Sequence, residues 1–163
     1  MCKRRCRGFT LFELVVVIAI VSSLAAVAVD RLFYYEERAE KVAMLANLEA
    51  FRTGLRIQAA QMIASNRVDR MASLESVNPV SWLEQAPAGW QGEYRQPTQP
   101  GSWYYASATR ELVYAPRNTR YLHTPGDDKD LRFRVVLRYE PNGAGGQVLA
   151  WATLSPVTSY QWF

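Results

Sequence analysis

The most apolar stretch of this chain contains a single acid, Glu13. No other charged side chain occurs between positions 9 and 29. A carboxylate in hydrocarbon costs about 2.5–3.5 kcal/mol on insertion scales. Two arrangements relieve that cost. Near a helix end the side chain reaches back to the interface, or it meets a cation. The stretch holds no Lys, Arg or His of its own, so the cation must come from another chain or from a newly made amino terminus.

Elsewhere the residue types for catalysis are sparse. The one histidine is His123, and neither Ser102 nor Ser107 stands in a nucleophile motif. Both cysteines, Cys2 and Cys6, precede the apolar stretch and are too few to hold zinc with a distant His123. No glycine-rich loop follows a strand and opens a helix, so a phosphate cradle is not expected; residues 143–146 suit a hairpin turn. Asp127, Asp128 and Asp130 stand around Lys129 just before a strand. These are calcium candidates, although calcium takes six to eight oxygens, Lys129 opposes it and no EF-hand pattern is present. The alternative is a solvated turn, and no other cofactor is expected. Arg132, Arg134 and Arg138 share one strand face. They either attract an acidic partner or are neutralised by neighbours such as Glu111.

The elements that must carry these residues begin with a membrane segment. Residues 9–29 form a helix of roughly 32 Å at about 1.5 Å per residue, close to the thickness of a bilayer's hydrocarbon. Lys3, Arg4, Arg5 and Arg7 precede it and hold the N-terminal side in the cytoplasm. The chain's formal charge is +4, but setting aside residues 1–8 leaves 15 cations against 15 acids. The basicity is therefore a targeting feature, and nucleic-acid binding is not expected.

A short basic leader, Gly8, and then F-T-L-F-E-L-V-V-V-I-A-I resembles the N-terminus of type IV prepilins and type II secretion pseudopilins. The resemblance covers about residues 3–29 and implies several things. A prepilin peptidase of the membrane cuts between Gly8 and Phe9 and methylates the new Phe9 amine. Glu13 pairs with that amine on a neighbouring subunit. The chain joins other pilins or pseudopilins through an inner-membrane assembly platform driven by a separate ATPase. The head stands in the periplasm, and the product is a filament subunit rather than an enzyme. Family members with a major structural role usually carry a helix-breaking Gly and Pro where this chain has Ser22 and Asp30, and many close a disulfide that a chain cut after Gly8 lacks. A minor pilin or a pseudopilin is the expectation. The alternatives are a secreted periplasmic protein cut by ordinary signal peptidase after Ala28, and a tethered enzyme or sensor.

Beyond the membrane, residues 30–66 continue as an amphipathic helix with Val42, Leu45, Leu48, Leu55, Ala59 and Met62 as its apolar stripe. Gly54 marks the close approach of a strand. Residues 67–163 form the head. Asn78 caps a short helix opened by Pro79, and Pro and Gly then enforce loops to about residue 101, with Trp82, Trp90 and Tyr94 packing on the core. Period-two patterning predicts strands at 103–105, 112–114, 131–140 and 147–154, the last with Leu149 and Trp151 on one face. The expected fold is thus α+β and pilin-like: a long N-terminal helix on a four-stranded antiparallel sheet whose other face is polar.

Overall fold

The computed structural model describes residues 9–142 and 146–163. Helix α1 runs from Leu11 to Ala64 as one element of 54 residues. Its sequence has no proline, and its only glycine is Gly54. Helix-forming Ala, Leu, Glu and Arg dominate it. The start is capped by Thr10, whose Oγ1 accepts the Glu13 N–H at 3.2 Å. The end is a Schellman motif. Asn66 sits at φ +55°, its N–H donates to the Ile63 carbonyl at 3.0 Å, and the Arg67 N–H donates to the Met62 carbonyl at 2.8 Å. Asparagine tolerates the left-handed conformation that the motif needs.

The chain divides into two compact units between Arg38 and Ala39. In the first, the apolar side chains of α1 are exposed on all sides, from Leu11 at 81% to Val16 at 39%. The described part contains one helix long and apolar enough to cross a membrane, with mean hydropathy 2.6. Ser23 Oγ donates to the Ala19 carbonyl at 2.9 Å, yet the helix continues unbroken through Ser22 and Asp30. Tyr34 and Tyr35 meet edge-on at 5.6 Å, and the Arg38 guanidinium lies 5.7 Å from the Tyr34 ring centroid.

The second unit is an α+β domain. Its sheet has five strands, not the expected four, in the order β1-β2-β3-β5-β6. These are β1 (Trp90–Glu93), β2 (Ser102–Ala106), β3 (Glu111–Ala115), β5 (Leu131–Asn142) and β6 (Gly146–Pro156). A separate pair joins β4 (Leu122–His123) to β7 (Gln161–Trp162). All pairs are antiparallel except β1 with β2. The extra strand hides in a stretch that Pro87, Gly89 and Gly92 mark as loop. Gly89 lies at φ +80°, and a Cβ there would sit 2.6 Å from the Gly101 carbonyl oxygen, so only glycine lets β1 come up beside β2.

The helix stripe that meets the sheet keeps Leu48, Leu55 and Ala59 of the expected one, with Met62 packed against it, and has Met44 and Phe51 in place of Val42 and Leu45. Met44, Leu48, Phe51, Leu55 and Ala59 are buried with Trp103, Leu112, Phe133 and Leu154. Val42 is 65% exposed and Leu45 37%. At about 100° per residue Val42 lies roughly 160° around the helix from Met44, although its spacing to Leu45 and Leu48 is helical. Gly54 does mark a close approach, but of Trp82 rather than a strand: a Cβ at Gly54 would sit 2.9 Å from Trp82 Cβ. Trp82 closes the 3-10 helix Pro79–Trp82, which Asn78 caps by accepting the Val80 N–H at 3.0 Å.

The opposite face of β2 and β3 is also buried, against the expectation of a polar face. Tyr104, Ala106, Val113 and Ala115 form a second cluster with Tyr94 packed on it. The Gln99 N–H donates to the Tyr104 hydroxyl at 2.7 Å, which holds the covering loop down. Trp82 and Trp90 pack against the main core as expected. The β5–β6 pair is bulged: Arg138 faces Trp151 while Tyr139 faces Leu149. Ala150 is the extra residue, so Leu149 and Trp151 lie on opposite faces rather than on one. Leu149 packs on the core, and Trp151 is 42% exposed.

Candidate functional site

Of the three residues singled out for processing and docking, Phe9 and Glu13 are described, just before and within the first turn of α1. Gly8 and the basic leader, residues 1–8, fall outside the described residues. Phe9 is 64% exposed and directly precedes the capped helix start. Glu13 is the acid of the first turn. With Thr10 as N-cap it occupies the third helical position, the T-x-x-E arrangement of a capping box. A carboxylate there also complements the partial positive charge of the helix N-terminus. The spacing of Thr10 and Glu13 carried this signal in the sequence, and sequence reading passed over it.

The residues considered for other chemistry are not brought together. His123 stands exposed on β4, while Ser102 is buried in β2. Ser107 donates to Glu93 Oε1 from its N–H at 3.0 Å and its hydroxyl at 2.8 Å. Those two bonds hold the Glu93 carboxyl below its usual range.

The acidic loop is engaged by the protein itself. Asp128 accepts the Asp130 N–H at 3.0 Å through Oδ1 and meets Arg132 Nη2 at 3.3 Å through Oδ2. Asp130 Oδ2 accepts the Tyr94 hydroxyl at 3.0 Å. Burial raises the Asp130 carboxyl, against the pull of the Tyr94 hydrogen bond. Asp127 is exposed. Among the described residues no group of three or more His, Cys, Asp or Glu side chains is placed to hold a metal ion.

Arg132 and Arg134 of the arginine face are engaged by the protein itself, and Arg138 is exposed. Glu111, 5% exposed, accepts Arg134 Nη2 at 2.6 Å, meets Arg132 Nη1 at 3.5 Å and accepts the Thr109 hydroxyl at 3.0 Å. Arg132 also lies over the Tyr94 ring, 4.9 Å from its centroid. A buried carboxylate needs such partners, since an unpaired one costs several kcal/mol. Among the described residues no buried side-chain polar atom is left without a partner.

One polar centre was not legible in the sequence. Glu40, on α1, accepts the Tyr114 hydroxyl at 2.9 Å and the Arg117 N–H through Oε1. Through Oε2 it accepts the Asn118 N–H at 3.0 Å and Asn118 Nδ2 at 3.3 Å. Burial, joined by the Glu40 charge, drives the Tyr114 hydroxyl far above its usual range.

Residues 3–29 match the model of the prokaryotic N-terminal methylation motif, the leader signature of type IV prepilins and pseudopilins. The match ends within α1, and no solved structure matches the chain. The motif implies processing by prepilin peptidase and pilin-type assembly, and the proteins that bear it are structural rather than enzymatic. The motif and the apolar helix together fit membrane anchoring.

Proposed function

We propose that the chain is a minor subunit of a pilin-like filament, either a minor pilin of a type IV pilus or a pseudopilin of a type II secretion system. Prepilin peptidase hydrolyses the amide between Gly8 and Phe9 and methylates the Phe9 amine. The helix spans the bacterial inner membrane once, with the head in the periplasm. In the filament, Glu13 takes the amine of a neighbouring subunit as its counter-ion, so neither charge stands alone in lipid. The observation that carries this reading is the motif match over residues 3–29, which contains the one acid of the apolar run. The uninterrupted helix at Ser22 and Asp30 and the absence of cysteine after Cys6 support a minor rather than a major subunit.

Mass spectrometry of the amino terminus of membrane-extracted protein tests it. The expected product begins at N-methylated Phe9, and Gly8→Val leaves the leader attached. Glu13→Val is cut normally but is missing from the sheared filament fraction. A product beginning at Val29 would assign the chain to ordinary signal peptidase instead.

A further inference from the structure

The backbone N–H groups of Leu11, Phe12 and Glu13 open α1 without a helical partner. The first helical bond is the next one, from the Leu14 N–H to the Thr10 carbonyl at 3.1 Å. Of the opening groups, the Glu13 N–H is the one served, by the Thr10 hydroxyl at 3.2 Å. A complete capping box adds a reciprocal bond, in which the acid of the third helical position accepts the N–H of the capping residue. Here that bond is not made. Among the described residues the Glu13 carboxylate takes part in no hydrogen bond or ion pair. The box is half closed: the backbone of Glu13 is held and its acid is left open.

Phe9 stands four residues before Glu13, about 6 Å along a helix axis. In a chain cut after Gly8, only Phe9 precedes Thr10. No upstream chain then steadies the first turn, and helix ends fray. A carboxylate in that turn, with hydrocarbon around it, is drawn to unserved N–H groups of its own chain.

We propose that Thr10 is the residue that positions Glu13 for docking. Its hydroxyl caps the helix in place of the acid, so the carboxylate stays open to the amine of a neighbouring subunit. The cap also fixes the distance from Glu13 to its own Phe9 amine. That distance sets the slide, about one turn, at which two copies can pair. Without the hydroxyl the carboxylate turns back onto its own first turn. This inference rests on the docking of Glu13 with a neighbour's amine.

The test compares Thr10→Val, which keeps the shape and loses the acceptor, with Thr10→Ser and Thr10→Asn, which keep a capping oxygen. Thr10→Val should be cut and N-methylated at Phe9 like the parent, yet be at least fivefold depleted from the sheared filament fraction. Thr10→Ser and Thr10→Asn should stay within twofold of the parent. Nuclear magnetic resonance of the full chain in detergent micelles supplies the second readout. In Thr10→Val the Glu13 amide should exchange at least tenfold faster, and the Glu13 carboxyl carbon, identified by its loss in Glu13→Gln, should shift. Both should match the parent in Thr10→Ser and Thr10→Asn. A cap that served helix stability alone would leave the carboxyl resonance in place. That result would overturn the proposal, as would parental filament levels of Thr10→Val or equal depletion of all three variants. If Thr10→Val is left uncut, the micelle measurements on the uncut chain decide. Failure of the docking reading looks different: Glu13→Val then reaches the filament at parental level with Thr10 intact.

Discussion

The Glu40 carboxylate accepts the Tyr114 hydroxyl at 2.9 Å across 74 positions of sequence, joining α1 to the end of β3. The same carboxylate also takes the backbone N–H groups of Arg117 and Asn118, so one side chain fixes the turn that leaves the strand. Glu40→Ala should destabilise the folded head by about 1–3 kcal/mol, the cost of leaving such donors unsatisfied. Glu40→Gln, which keeps one acceptor oxygen, should lose less, and Tyr114→Phe about 1 kcal/mol. Urea unfolding followed by tryptophan fluorescence checks the order.

Gly54 sits in the middle of α1, where alanine normally gains about 1 kcal/mol. Here the added Cβ would meet Trp82 Cβ at 2.9 Å and the Trp82 carbonyl oxygen at 3.3 Å. Neither atom is the far end of a flexible side chain. Gly54→Ala should therefore destabilise, by about 1–3 kcal/mol as overpacked sites do. The clash involves a backbone atom and Cβ, so Trp82→Ala does not remove it. The double variant should remain below Trp82→Ala in thermal melting. If Gly54→Ala raises the melting temperature, the tight approach of the 3-10 helix is wrong.

Two carboxyls give opposite pH signatures. Burial raises the Asp130 carboxyl above its ordinary value. The folded protein then holds that proton more tightly than the unfolded chain, so ionised Asp130 costs stability at neutral pH. The cost fades as pH falls through the raised value. Glu93 is held below 4.5 by the Ser107 backbone and side-chain hydrogen bonds. Its contribution is complete above 4.5 and is lost as pH falls through the lower folded value. Asp130→Asn, which still accepts from Tyr94, should match or exceed the parent at neutral pH and lose that advantage in acid. Glu93→Gln should be the less stable protein at neutral pH and converge on the parent in acid. Urea midpoints across a pH series separate the two.

The long helix and strands β2, β3, β5 and β6 were legible because each is a run of residue types that favour its element. Leu131, Phe133 and Val135, for example, are buried in alternation with the arginines between them. Strand β1 was not, because Gly89 just before it and Gly92 within it sit at positive φ and its partner runs parallel. Periodicity also fixed the helix and, from Leu48 onward, its buried side, but not the side its preceding turns present. Val42 and Leu45 share helical spacing with Leu48, but Phe51, fully buried and edge-on to Trp103 at 5.5 Å, shows which side faces the sheet. At the candidate site Glu13 stood out as one charge in an apolar run. Glu40 did not, since an acid on a helix reads as solvated until its partners on a distant strand are known.

The extra alanine in β6 has a consequence of parity. Side chains on a strand alternate, so one inserted residue shifts which positions of its own strand fall on each face, while the pairs across the ladder stay matched. With Ala150 between them, Leu149 stays against the interior and the indole of Trp151 points outward. Deleting that one residue would make Leu149 and Trp151 direct neighbours, still opposite Tyr139 and Arg138 and still on opposite faces, so the hairpin would lose the bulge and keep both of its surfaces.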